Sequence, residues 1–210
     1  VGAGRSELLH TIFGSSRVAN QGTIEINGQQ SPLFRNPQAA RLAGIALVSE
    51  DRQKDGLLLS QSIATNVNLI NPPQKAGFIR KSAFERQASE STSNLEIKCR
   101  GMQQTMTELS GGNQQKVVLA KWLVTEPSIL LLDEPTRGVD AAARQRIHKA
   151  IANLAKQGLG VIWVSSELDE LRDNCDRILT VRDGQISGTF DRSNWDQDRI
   201  TRAMFTETAA

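Results

Sequence analysis

Tyrosine is absent from this chain of 210 residues, and aromatic residues of all kinds make up only 4% of it. Trp122 and Trp163 are read as core-packing residues rather than base-stacking ones, and Trp195 also fits an apolar face. Cysteine is as scarce: Cys99 and Cys175 lie far apart without metal-ligand spacing, which argues against a disulfide and points to inert thiols in a reducing cytosol. No apolar run approaches the roughly 20 residues needed to span a bilayer, and the N-terminus has neither a basic flank nor a hydrophobic targeting segment. The expectation is therefore a soluble, untargeted chain. An excess of one charge is missing as well, with Lys+Arg 25 against Asp+Glu 23 and a net charge of +2. No basic run tracks phosphates, so no nucleic-acid partner is expected. Gly 16 and Pro 6 are too few for a collagen-like or low-complexity chain. What remains, 39% hydrophobic and 23% charged residues, suits one well-cored globular domain.

The pattern along the chain points to an α/β fold. Gly2-Ala3-Gly4-Arg5-Ser6 forms a Gly-rich turn, and Glu7 to Phe13 follows with helical spacing, stopped by Gly14. Such a turn ordinarily follows a buried strand, so a chain opening on Val1 is expected to begin inside a structural unit. Thr23 to Ile26 alternates with period two and ends at Asn27-Gly28, a hairpin signal. Ile45–Val48, Ile129–Leu132 and Val161–Val164 are continuous apolar runs of the kind found in strands covered on both faces. Ser82 to Leu95, after Pro72-Pro73, is polar and helix-compatible, whereas Ala141 to Gln157 is a helix between the second and third apolar runs. Ile178 to Arg182 with Asp183-Gly184 makes a final strand and hairpin. Strands alternating with helices predict a mostly parallel sheet, with antiparallel strands near the N-terminus and a helical insertion.

Three segments carry chemistry. Glycines in the Gly2–Ser6 turn allow backbone N–H groups to converge on phosphate oxygens at a helix N-terminus. Taken alone, an ordinary Gly-rich turn explains it equally well. Ser128 to Pro135 delivers Asp133 and Glu134 at the C-terminal end of a strand, where α/β sheets bind ligands. Asp133 suits Mg²⁺ and Glu134 suits orientation of an attacking water, although a buried strand ending in a solvated turn is the competing reading. Leu109-Ser110-Gly111-Gly112-Asn113-Gln114-Gln115-Lys116 is a glycine turn at a helix start, with backbone donors and a hydroxyl suited to an anion. A structural turn before a core helix accounts for the helix, but not for its pairing with Asp133-Glu134 downstream.

With these segments the chain resembles the nucleotide-binding domain of ABC transporters, Leu-Ser-Gly-Gly-Asn-Gln-Gln being similar to the signature motif and Leu-Leu-Leu-Asp-Glu-Pro to Walker B. Arg137-Gly138-Val139-Asp140 falls where the D-loop lies. Ser49-Glu50-Asp51-Arg52 and Val164-Ser165-Ser166-Glu167-Leu168 narrow the likeness to the second, C-terminal domain of the tandem ATPases of bacterial sugar importers. The resemblance implies a P-loop core, one N-terminally truncated ATPase domain over 1–210, and a helical subdomain at about 57–108 that touches the membrane subunits. It implies ATP and Mg²⁺ as cofactors, with nucleotide contacts at Gly2, Ala3, Gly4, Arg5, Ser6 and Glu7, metal contacts at Ser6 and Asp133, and Glu134 as the catalytic carboxylate. Ser110, Gly111, Gly112 and Gln114 would meet the ATP of a facing domain. Loop roles fall to Glu50, Asp140 and Ser166.

Three departures cluster in one half-site: Arg5 stands for the P-loop lysine, Glu50 for the Q-loop glutamine and Ser166 for the switch histidine. Loss of single transition-state donors costs about 10²–10³ in rate, so this half-site is expected to be weak. The intact signature is then expected to serve the N-terminal ABC domain of the same full-length chain. Further partners implied are integral membrane permease subunits and, indirectly, a periplasmic or extracellular sugar-binding protein. The implied location is cytoplasmic, peripheral on the inner face of the cell membrane. A DNA-repair or ribosome-associated ABC ATPase is the alternative, against which stand the absence of sustained heptads and of basic inserts. A degenerate regulatory domain is a third reading. His10 and His148 are read as surface or packing residues that do not replace the switch histidine.

Overall fold

A computed structural model of the chain describes residues 3–16 and 21–205. Its elements begin with α1 (Arg5–Ile12), β1 (Thr23–Ile26), β2 (Gln29–Pro32), α2 (Pro37–Leu42) and β3 (Ile45–Val48). A π-helical turn (Arg52–Gly56), α3 (Ile63–Val67), β4 (Gln74–Lys75), β5 (Phe78–Ile79) and α4 (Lys81–Asn94) follow. Next come a 3₁₀ turn (Met106–Glu108), α5 (Gly111–Leu123), β6 (Ile129–Asp133), α6 (Ala141–Lys156) and β7 (Gly160–Val164). α7 (Leu168–Asn174), β8 (Arg177–Arg182), β9 (Gln185–Asp191) and α8 (Gln197–Phe205) complete the described chain. The residues cluster into two compact units, one of residues 40–162 and one of residues up to 39 together with 163 onward.

The 40–162 unit is built on a parallel sheet of order β3-β6-β7. β3 and β6 run in register from Ile45 opposite Ile129 to Val48 opposite Leu132. All of β3 is buried, as are Leu130, Leu131 and Leu132, in keeping with apolar runs covered on both faces. β7 differs, because Ile162 is 43% exposed. In the described sheet β7 is an edge strand beside β6 alone, which leaves its apolar side chains partly uncovered. α5 is buried around much of its circumference, as expected of a helix without a continuous polar stripe.

The residues from 57 to 108 hold α3, α4 and the 3₁₀ turn, and also a short antiparallel hairpin, β4–β5, that no sequence pattern announces. Buried amides join these pieces. The Ser62 hydroxyl accepts from Thr65 N (3.1 Å) and caps α3. Asn66 accepts from Leu58 N (2.8 Å) and donates to Leu58 O (3.0 Å), while Asn68 Nδ2 donates to Ala64 O (2.7 Å) and Phe84 O (3.0 Å). The Asn66 bonds hold the backbone of Leu58 against α3, and the Asn68 bonds tie α3 to α4.

In the other unit, both hairpin turns fall where the dipeptides place them. Asn27 (φ 53°) with Gly28 (φ 77°) joins β1 to β2, and Asp183 (φ 48°) with Gly184 (φ 75°) joins β8 to β9, the paired left-handed conformation of tight hairpins. Ile178, Phe190 and Ile200 form a core between the β8–β9 hairpin and α8, with Leu168, Leu171, Trp195 and Ala203 packed on it. His10 is half-buried and bonds through Nδ1 to Ser15 Oγ (2.7 Å), a local contact at the end of α1. Both cysteines are free thiols, and burial, followed by the Asp176 and Glu170 carboxylates, pushes Cys175 up to about 11.

Two lysines of α5 are buried. Lys116 Nζ donates to Glu96 O (3.0 Å), and desolvation holds its pKa below the ordinary lysine value. Lys121 Nζ donates to Gly56 O (2.5 Å), and desolvation lowers its pKa from 10.5 to about 8. Between those two values the unfolded chain keeps a proton that the folded chain has released, so stability gained from Lys121 rises with pH through this window. Urea unfolding at about pH 7.5 and about pH 10 should move the native chain ahead of Lys121→Met by about 2 kcal/mol. An unchanged difference between the two chains would mean that the ammonium is not desolvated.

Candidate functional site

The Gly-rich turn is held from behind by the β8–β9 hairpin. Gly4 has φ +90°, and a Cβ built there would lie 3.3 Å from Gly184 Cα, so the position combines a left-handed backbone with close packing. Gly184 N donates to Ala3 O (3.1 Å), and α1 starts immediately afterwards with Arg5, Ser6 and the exposed Glu7 in its first turn. Gly2 lies outside the described residues. Arg5 does not project from the turn as an unattached cation. Its Nη1 donates to the backbone oxygen of Ser165 (2.7 Å), one residue before the exposed Ser166. Ser165 is itself fixed, with its hydroxyl on the buried Glu170 carboxylate (2.6 Å) and accepting from Glu167 N (3.0 Å).

In the 40–162 unit the strand β6 ends on the buried Asp133, followed by Glu134 with φ 48°. A non-glycine residue in the left-handed region is strained, and such strain concentrates where a side chain must be aimed. Beyond it, Arg137 forms an ion pair through Nη1 with Oε1 of Glu50. Glu50, Asp51, Arg52, Gln53 and Arg137 line a cleft of about 400 Å³. The Asp51 carboxylate accepts from Gln53 N (3.1 Å) and Lys54 N (3.0 Å), capping the π-helical turn. A larger cleft of about 700 Å³, lined by residues of α4, α5 and α6, contains none of the residues singled out from the sequence.

The Ser110-Gly111-Gly112 turn opens α5 against the start of α6. Ser110 is exposed, and its hydroxyl accepts from Asn113 Nδ2 (3.0 Å). A Cβ at Gly112 would lie 2.4 Å from Cβ of Ala143, and one at Gly111 would lie 2.8 Å from Arg52 Nη2 and 3.5 Å from Gly138 O. At Gly112 the obstructing atom is a rigid alanine methyl, so only glycine permits the approach, whereas at Gly111 it is the end of a flexible side chain. Asp140 caps α6 by accepting from Ala143 N (2.8 Å). Gln114 is turned into the core, where its Nε2 donates to Met106 O (2.9 Å).

Thus Glu50, Glu134, Asp140, Ser110, Gly111 and Gly112 belong to one unit, whereas Ala3 to Glu7 and Ser166 belong to the other. Sequence reasoning quoted Arg52 and Arg137 inside motifs without giving either a role of its own. The contact from Arg52 to Gly138 spans 86 positions, which no local spacing can signal. The same holds for Arg5 and Ser165, which are 160 positions apart.

The described residues hold no group of three or more His, Cys, Asp or Glu side chains fit for a metal ion.

The family model described as ABC transporter matches residues 1–137. A xylose import ATP-binding protein of Geobacillus kaustophilus is 43% identical over 202 residues, covering 95% of this chain and 40% of that protein. A ribose import ATP-binding protein of Rhodococcus jostii is 42% identical over 212 residues, covering 100% of this chain and 41% of its own length. The chain thus spans about two fifths of the length of these relatives. Among solved structures, a nucleotide-free ATP-binding cassette from an ABC transporter superposes with a TM-score of 0.79 at 19% identity, covering 98% of this chain and 85% of the other. A dimeric ATP-binding cassette in a post-hydrolysis state, bound to ADP and Pi, gives 0.73 at 22% identity, with 90% and 81% covered. These likenesses confirm the α/β class with its parallel sheet.

The Gly112 contact is open to a direct measurement. Gly112→Ala should destabilise the chain by about 1–3 kcal/mol in urea unfolding, because the added methyl has nowhere to go. Ala143→Gly in the same chain should restore part of this, less the roughly 1 kcal/mol that a helical glycine costs. Simple additivity of the two substitutions would mean that the helices do not meet there.

Proposed function

The chain belongs to the ABC transporter family, and from that premise we propose that it is an ATP-binding domain that helps to energise import of a sugar or related small solute. The observation that carries the reading is the pair of sugar-import relatives, each above 40% identical and each matched over nearly all of this chain. On this reading the partners are a second, N-terminal ABC domain of the same full-length polypeptide, integral membrane permease subunits and, indirectly, an extracytoplasmic sugar-binding protein. The domain then works at the inner face of the membrane. No helix of the described residues is long and apolar enough to cross a membrane, so the permease would supply the path for the solute.

The two nucleotide half-sites to which this chain contributes are proposed to be unequal. At its own Gly-rich turn, Ala3 to Glu7 would receive phosphates, with Ser6 and Asp133 holding Mg²⁺, whose charge offsets that of the phosphates. Arg5 weakens this half-site by its attachment: its guanidinium is engaged by the Ser165 carbonyl (2.7 Å), and a planar fork does not replace a compact ammonium between phosphate oxygens. Glu50 adds a second handicap, because its carboxylate is paired with Arg137 and cannot act as a neutral amide beside a water. Ser166 is too short to replace an imidazole. Glu134 would orient a water, with less for it to act upon.

At the other half-site, Ser110 and the N–H groups of Gly111 and Gly112 would face the γ-phosphate carried by the partner domain's P-loop. The exposed Ser110 and the absence of side chains at 111 and 112 support that role. Backbone donors at a helix start stabilise the charge that develops on transferring phosphoryl oxygens, and they need no reorganisation to do so.

Two measurements test this reading. The isolated chain should release phosphate from ATP barely above background, and turnover near about 1 s⁻¹ that depends on Glu134 would overturn the weak-site argument. In the full-length protein, Gly111→Asp should abolish sugar uptake and ATPase activity, since a carboxylate there repels phosphate oxygens across a poorly solvated interface. Glu134→Gln should do much less in the same assays. Equal damage from the two substitutions would make the half-sites equivalent.

A further inference from the structure

We infer that Arg52 is a positioning residue that fixes the Arg137–Asp140 loop against the first turn of α5, setting the surface offered to a facing nucleotide before that nucleotide arrives. The inference rests on the reading that Ser110 to Gly112 complete a partner domain's site, and it assigns a separate residue the task of shaping them.

Arg52 stands at the start of the π-helical turn, and its guanidinium reaches two segments that are distant in sequence. Nη1 donates to Arg137 O (3.0 Å) and Nη2 points to Gly138 O (3.5 Å). The same Nη2 occupies the space beside Gly111, where a Cβ would come within 2.8 Å. A planar fork can bridge two successive carbonyls and present an edge to a third segment, which a single ammonium cannot do. Nε of Arg52 is buried without a hydrogen-bond partner, so the group is held there despite an unsatisfied donor. The placement therefore leaves one donor of the group unpaired while its two Nη atoms are directed at the loop.

The arginine is in turn held from both sides. Asp51 caps the turn that carries it, and Glu50 pairs with the side chain of Arg137, the residue whose carbonyl Arg52 holds. At the far end of the turn Gly56 packs on α5, where a Cβ would meet Val118 Cγ2 at 3.2 Å, and its carbonyl accepts from Lys121. The turn is therefore anchored to the body of α5 at one end and reaches the N-terminus of α5 and the loop before α6 at the other. Gly138 adopts the left-handed φ of +69°, and its carbonyl is one that Arg52 faces.

The experiment uses the complete polypeptide that contains this chain. Hydrogen exchange over residues 137–143, the melting temperature and the ATPase kcat and KM are compared for the native protein, Arg52→Ala, Arg52→Lys and Gly111→Asp. Arg52→Ala should speed exchange of the 137–143 amides and lower kcat by about tenfold or more, because small misplacements of a positioned group carry such costs. KM for ATP should stay within about twofold, since on this inference Arg52 acts through the loop it holds rather than on the nucleotide itself. Arg52→Lys should restore little of kcat, the charge being kept and the fork lost. Unchanged exchange in Arg52→Ala overturns the inference, as does a lower melting temperature with kcat per folded molecule intact. Faster exchange with unchanged kcat also overturns it if Gly111→Asp is inactive. If Gly111→Asp is fully active, the partner-site reading has failed instead, and faster exchange alone upholds the role of Arg52 in fixing the loop.

Discussion

At position 112 there is no room for a side chain, and the arrangement of the 40–162 unit around its exposed motifs depends on that. Gly112 lets α5 and α6 approach until Ala143 fills the space where its Cβ would be, and Gly111 admits the Arg52 guanidinium to the same place. Two helix N-termini are thereby brought side by side, each with backbone N–H groups lacking partners within its own helix. Asp140 satisfies one such group on α6, whereas the turn at Ser110 remains exposed. The contrast explains how two adjacent helix starts can differ in what they offer a ligand.

The same helix that presents this turn is largely buried, and its polar residues are used to hold neighbouring segments. Lys116 and Lys121 place ammonium groups on the carbonyls of Glu96 and Gly56, and Gln114 does the same for Met106. Backbone carbonyls are modest partners for a desolvated cation, which is why burial lowers both lysine pKa values. In exchange, backbone carbonyls of three neighbouring segments are tied to one rigid element.

The other unit solves a similar problem with a hairpin rather than a helix. Gly184 sits against Gly4 and donates to Ala3, so the turn between β8 and β9 supports the Gly-rich loop. Arg5 then reaches back to the carbonyl of Ser165, whose side chain is fixed by Glu170. A lysine at position 5 would have a flexible stem and a compact charge. The arginine, by contrast, can satisfy a carbonyl with one edge of a planar group.

Much of this was legible in the sequence. The apolar runs at 45–48 and 129–132 specified buried parallel strands because no polar side chain could be accommodated on either face, and Asn27-Gly28 and Asp183-Gly184 specified hairpins because few other dipeptides tolerate two left-handed residues. Motif spacing likewise located Glu134, Ser110 and Asp140 at the ends of strands and the starts of helices. Local pattern could not reveal the edge position of β7 or the β4–β5 hairpin, since both depend on what lies beside them. Nor could it reveal the burial of Gln114, whose motif suggests an exposed tip while its amide is needed by Met106. The sequence by itself determined most of the elements, the hairpin turns and the Gly-rich segments proposed to bind phosphate, all of which follow from periodicity and from the short-range sterics of glycine. Only the tertiary structure decided where Arg5 and Arg52 direct their guanidinium groups, because a long flexible cation takes its geometry from whichever carbonyls the fold brings within reach, and those lie 160 and 86 positions away.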